Sequence, residues 1–363
     1  MRRRDFVATS IGVLGGVATR FARGAVPCPM PTVKVDSDAE IKTGCAFDAE
    51  SDWLARSQAP GVVWAHDFRT DKEITDWLWS SGIGDDPNRV GPGAKLVTRE
   101  PSDGITGGGC LQYMQGATFN NTSGWWRPFS PASDLGPPVQ GSSRINVWHN
   151  GNYAHASYNP DGGNEFYIQF RLKLDPNLKN IDTGAGGKIA FIGRTESTPN
   201  QEIVVWHPGP TGERAFNMYS QFGGNFLTGA HVYSPWPDAH DWQPGSDYGL
   251  CLTPDANDGT VPATCWRYPY GEWHTYLIKI VPGIFGSTVS PTGITVWAAR
   301  AGAQSYTKIW DRSNYQINGG SLFNGWNSFL PSIYYNDWTG GTQWYQRYDQ
   351  IIFSTQFIAC PAV

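Results

Sequence analysis

The sequence predicts an all-β fold, a β-sandwich (jelly roll) of two antiparallel sheets with long rim loops. Three observations carry that reading. The 363 residues include 43 glycines and 26 prolines while only 16% are charged, a mix that favours many short strands and ordered turns over long helices. From Gly61 onward, roughly a dozen β-rich runs follow one another at hairpin spacing. The clearest of them, "EFYIQFRLKL", alternates without a fault. Phe166, Ile168, Phe170, Leu172 and Leu174 share one face, and Tyr167, Gln169, Arg171 and Lys173 share the other.

The N-terminus reads as a targeting segment. "MRRRDFVATSIGVLGGVATRFARGA" opens on Arg3-Arg4, with Phe6 two residues on, then a mild apolar stretch and small residues up to Ala25. That pattern is similar to a twin-arginine export signal, and its apolar stretch is too short to span a bilayer. Residues 1–25 are therefore read as a signal peptide and 26–60 as an N-terminal lead-in with a short helix around Phe47–Ala55. Residues 61–363 are read as one β-jelly-roll catalytic domain. Removing the signal takes away five arginines and one aspartate, which moves the net charge from −5 to −9. A chain that acidic is a poor generic partner for nucleic acid or an anionic membrane, and the expected species is an exported monomer.

The strand runs then come in order: "GVVWAHDF", "AKLVTRE", "GGGCLQYM" and "GWWRPFS". After a long loop at 131–164 come "EFYIQFRLKL", "KIAFIGR", "QEIVVWH", "AFNMYSQF" and "GAHVYS". A second long loop, 234–270, precedes "GEWHTYLIKIV", "GITVWAAR", "SFLPSIYYN" and "RYDQIIFSTQFI". Loops of that length are uncommon unless functional. Seventeen tryptophans exceed what one core needs, and indole rings stack on the apolar faces of sugars.

Six cysteines without a CxxC pair argue against zinc or redox motifs. In an exported chain they predict disulfides. The expected pairing is Cys28–Cys45 and Cys251–Cys265, which close short loops, with Cys110–Cys360 remaining. The chain has no HExxH, no GxSxG and no ExDxxE pattern, so metal-dependent hydrolysis, a serine elbow and a paired-glutamate glycosidase each lack their usual signature.

The stretch "DTGAGGKIAFIGR" places Lys188 after a glycine-rich turn, at the head of a strand. With "FNMYSQ", "GAHVYS", "GEWHTYLIKIVPG", "GITVWAA", "YYNDWTGG" and "YDQIIFS" it forms an ordered set over about residues 160–355. That set resembles the jelly-roll polysaccharide lyases of concanavalin A-like fold, nearest to polysaccharide lyase family 14, the alginate and glucuronan lyases. The resemblance implies that Lys188 takes the place of the family's lysine after Gly-Gly. It places the family's Tyr-x-Tyr pair on His231-x-Tyr233, with histidine in place of the first tyrosine. The family's intervening arginine has only Arg214 as a counterpart.

The implied chemistry is β-elimination on a uronate polymer. The sugar carboxylate must be neutralised, a base must take the C5 proton, and an acid must meet the C4 oxygen. Lys188 would supply the cation and lower the pKa of a nearby phenol. Tyr233 would act as acid and base, with His231 as the alternative base. Asn217, Tyr219 and Gln221, on one strand face, would bind the substrate with Arg214, and Arg171, Gln169 and Arg194 would line the groove. His274 is expected to be structural. No cofactor is required for this chemistry. A structural calcium ion, which this superfold often holds between its first and last strands, would be bound by Asp67 and Asp349. Two readings compete: a glycoside hydrolase on the same fold and a sugar-binding, lectin-like protein.

Overall fold

The computed structural model describes residues 48–75, 78–80, 97–115, 122–125, 127–128, 165–183, 186–194, 201–208, 211–221, 224–226, 266–283, 289–317, 326, 328–335 and 344–362. Helix α1 (Ala49–Ser57) precedes β1 (Val62–His66), the short helix α2 (Asp71–Thr75), β2 (Leu78–Ser80), β3 (Val97–Glu100) and β4 (Cys110–Gln115). Then come β5 (Thr122–Trp125), β6 (Arg127–Pro128), β7 (Phe166–Leu174), β8 (Gly186–Arg194), β9 (Gln201–Pro208), β10 (Asn217–Gln221) and β11 (Gly224–Phe226). The last five are β12 (His274–Val281), β13 (Thr292–Arg300), β14 (Thr307–Ile317), β15 (Ser328–Tyr335) and β16 (Trp344–Ser354).

They form two antiparallel sheets, as expected. The larger has nine strands in the order β11-β14-β13-β12-β7-β16-β4-β3, with β1 also paired to β16. The smaller has seven, in the order β10-β9-β8-β15-β5-β2, with β6 paired to β15. The apolar face of β7 packs into the space between them: the rings of Phe170 and Phe329, one from each sheet, lie 5.4 Å apart. Two phenols bridge the sheets by donating to backbone carbonyls, Tyr113 to Pro331 O at 2.7 Å and Tyr348 to Ile189 O at 2.5 Å. Each supplies apolar area while giving its hydroxyl a partner, which a buried tyrosine requires.

The larger sheet also has its outer face buried. Trp53, Tyr167, Leu277, Ile352 and Ile358 form a second small core there, which brings α1 and the C-terminal residues onto the strands. Helix α1 starts where Asp48 accepts from Ser51 N at 2.8 Å, an N-cap of the usual kind.

Strand β16 serves two neighbours in turn. Trp344–Tyr348 pair with β4, and Ile351–Ser354 pair with β1. The change falls at Gln350, a non-glycine residue with φ 47°, and Phe68, just past β1, has φ 52°. Left-handed backbone at such residues costs on the order of 1–3 kcal/mol and persists only where the surroundings impose it.

His207 and His274 lie in the interior with Tyr268, Phe216 and Tyr276. The His274 Nδ1–H donates to Glu272 O at 3.1 Å. Burial holds His207 well below its ordinary range and His274 down to about 3. Unfolded histidines protonate near 6.5, so below that pH the unfolded chain binds more protons and the fold loses stability as acid is added. Asp349 acts oppositely. Burial raises it to about 8, so its contribution is complete below 3.8 and is lost as pH rises through 8. Between pH 5 and 6.5 the two histidines outweigh the one carboxyl. The melting temperature is expected to be lower at pH 5 than at pH 7, and His274→Phe should flatten the decline. An equally steep decline in the variant would remove His274 from the account.

Candidate functional site

Lys188 lies on β8 in the smaller sheet, half-buried, with its ammonium 5.6 Å from the centre of the Phe191 ring. Simple alternation would put Lys188, Ala190, Ile192 and Arg194 on one face. The structure corrects this. The register with β9 shifts between Lys188 and Ala190, because Ile189 is an extra residue on β8. Ala190 and Ile192 share one side, Arg194 ends the strand in their register set, and Lys188 falls on the other side with Phe191, which is itself buried.

The bulge puts Lys188 into a cross-strand row on the outer face of the smaller sheet. Tyr334 of β15 lies opposite Lys188, Lys188 opposite Trp206 of β9, and Trp206 opposite Asn217 of β10. The next rows on that face run Leu330–Phe191–Val204–Tyr219 and Ser328–Gly193–Glu202–Gln221. Adjacent strands are about 4.8 Å apart, so Lys188 and Asn217 are about 10 Å apart across the sheet. Asn217 is buried and its Oδ1 accepts from Met218 N at 2.7 Å. Its Nδ2 has no hydrogen-bond partner among the described residues. A buried amide donor left in this condition costs about 1–3 kcal/mol, and a bound acceptor would remove that cost. Lys188, Asn217, Tyr219 and Gln221 thus occupy one face of three neighbouring strands. His231 and Tyr233 lie outside the described residues.

Tyr334 and Trp206 belong to this face, although the sequence did not mark them out. Both sit in recognisable strand runs, and only the register shows which run neighbours β8. Among the described residues, the three rows carry one carboxylate, Glu202.

Three other expectations for substrate contact are corrected. Arg214 is fully buried, donating to Leu178 O and Ile181 O at 2.9 Å and to Thr183 Oγ1 at 3.2 Å. It holds the turn that leads into β8. Gln169 and Arg171 lie on the outer face of the other sheet, buried beneath α1 and the C-terminal segment. Their face of β7 is polar because it receives a polar network, not because it meets solvent.

The disulfide expectation fails where it can be compared. Cys110 and Cys360 are buried free thiols, and burial raises both, Cys360 to about 12. Cys110 opens β4, while the segment carrying Cys360 crosses β7, where Ala359 O accepts from Gln169 at 2.8 Å. Two strand spacings, about 10 Å, exceed disulfide reach. Cys28, Cys45, Cys251 and Cys265 lie outside the described residues.

Asp67, just past the end of β1, lies near enough to Asp349, at the turning point of β16, for its negative charge to help raise Asp349. Their surroundings do not fit calcium. The Asp67 carboxylate already accepts from Arg69 Nε. Arg99 donates to the carbonyls of Phe68, at 2.8 Å, and Gly108. Asp349 accepts backbone N–H groups from Ile105 and Gln350, both at 2.7 Å. Two guanidinium groups thus supply positive charge and occupy oxygens that a cation would need. Among the described residues, no cluster of three or more His, Cys, Asp or Glu side chains could hold a metal.

No protein-family model and no curated protein matches this sequence. Several solved structures are similar in fold. One is a PL-14 alginate lyase from Aplysia kurodai, 10% identical, with 81% of this chain aligned to 99% of that one and a TM-score of 0.44. Another is a GH131 β-glucanase catalytic domain from Podospora anserina, 12% identical over 83% of this chain and 99% of that one, with a TM-score of 0.37. A third is peanut lectin, 10% identical over 80% and 97%, with a TM-score of 0.35. A fold of this kind does not fix a function, which must be argued from the site.

Proposed function

We propose that this chain is an exported, monomeric polysaccharide lyase that cleaves a uronate-containing polymer by β-elimination. The observation that carries the reading is the row Tyr334–Lys188–Trp206–Asn217 on one sheet face. It combines a half-buried cation with a buried amide donor awaiting an acceptor, in register across three strands.

In this reading the sugar carboxylate lies between Lys188 and Asn217. The ammonium offsets the charge that develops on the carboxylate as the C5 proton leaves, and Asn217 Nδ2 donates to it. A base takes the C5 proton, and its electron pair forms the C4=C5 double bond. The C4–O bond breaks, and the leaving oxygen takes a proton from an acid. Tyr233 remains the proposed acid and base and His231 the alternative base, with Tyr219 and Gln221 along the polymer path. Tyr334, next to Lys188 in register, is a further candidate for the phenol. The reaction needs no cofactor. A hydrolase would need a second carboxylate beside Glu202, and among the described residues the three rows offer none.

The test is a panel of alginate, glucuronan, pectate and glycosaminoglycans, followed by the near-ultraviolet absorbance of the new double bond. Absorbance that rises with cleavage is the expected result. Reducing ends without absorbance would mean hydrolysis. Binding without either would mean a lectin.

A further inference from the structure

On the outer face of the larger sheet, two buried guanidinium groups converge on one neutral oxygen. Arg56 Nη2 donates to Gln350 Oε1 at 2.5 Å, and Arg171 Nη1 donates to the same atom at 3.4 Å. Arg56 is otherwise well served. It pairs with Asp52 at 2.6 Å and donates to Gln169 Oε1 at 2.5 Å. Arg171 is not. It is 2% exposed, the bond to Gln350 is long, and its Nε has no partner among the described residues. Gln350 is fully buried, and its Nε2 also has no partner among them.

Arg171 also lacks a close counter-ion. The carboxylate opposite it in register, Asp349, commits both oxygens to backbone N–H groups. Burial, with the Arg56 charge, lowers the Arg171 guanidinium to about 10, while burial raises Asp349 to about 8. The environment therefore contains a buried guanidinium with no carboxylate in ion-pair contact among the described residues, and two unused donors. An unpaired buried ion costs several kcal/mol. A water molecule would accept from the donors and leave the charge unmet.

We propose that a small monovalent anion of halide size binds between the Arg171 guanidinium and the Gln350 amide, beneath α1 and the C-terminal segment. The ion would hold α1 and the C-terminal residues to the sheet by meeting the charge they cover. The site is remote from Lys188, on the other sheet, so it stands independently of the lyase reading.

The test uses the full chain at fixed ionic strength, with chloride exchanged for gluconate. Chloride is expected to raise the melting temperature saturably, by about 2–5 °C. Arg171→Met should abolish the response. Gln350→Glu, which places a negative charge beside both arginines, should make the melting temperature independent of chloride, and it serves if Arg171→Met fails to fold. Bromide-soaked crystals should give an anomalous peak between Arg171 and Gln350. A native chain indifferent to chloride would overturn the proposal. So would an unchanged response in Gln350→Glu, or a site holding only water.

Discussion

Lys188→Met is expected to lower turnover on the uronate polymer by about 10²–10³-fold, the usual effect of removing one charge-stabilising group from a reacting centre. The fold should remain. Lys188 is half-buried on an outer face, and its ring contact with Phe191 is worth about 0.5–1 kcal/mol. The melting temperature should therefore change little. Lys188→Arg should recover part of the binding but not the rate, because a planar fork does not place charge where a compact ammonium does. The measurement is the rate of double-bond absorbance beside a thermal melt. Full turnover in Lys188→Met would end the lyase proposal and leave the row as a surface.

Arg214→Met is expected to have the opposite profile. Three acceptors at 178–183 would lose a buried charged donor, and the loss should be about 3–5 kcal/mol. The melting temperature should fall on the order of 5–10 °C. Activity below the new transition should persist if Arg214 only holds the turn before β8. A loss of activity with an unchanged melting temperature would return Arg214 to the substrate.

The comparison of these two residues shows what the sequence could reveal. Strand existence was legible, because alternation and β-branched runs announce β7, β12, β13 and β16. The short strands β2 and β11 and the long, polar β14 were not. β14 reads "TKIWDRSNYQI", with too many charges on its exposed side for its apolar period to stand out. Residue faces were legible on β7 and β10, where register is regular. They were not on β8, where one extra residue moves Lys188 away from Ala190 and Ile192. Alternation also says which residues share a side but not which side is covered. Gln169 and Arg171 were correctly grouped as the polar side of β7, yet that side lies beneath α1 and the C-terminal residues. Arg69, two residues from Asp67, was within sight of the sequence, but Arg99 was not: it arrives from a separate segment, and only the fold brings it to the carbonyls of Phe68 and Gly108.

The double pairing of β16 has a consequence for how the chain reaches this state. Its neighbours β7, β4 and β1 all come earlier in the chain, and each has a long edge that stays open until residues 344–354 arrive. Closing those edges requires loops that span most of the polypeptide, which slows assembly and exposes strand edges meanwhile. The larger sheet can be completed only once residues 344–354 have been made. Sticky intermediates of the unfinished chain would be the natural clients of chaperones.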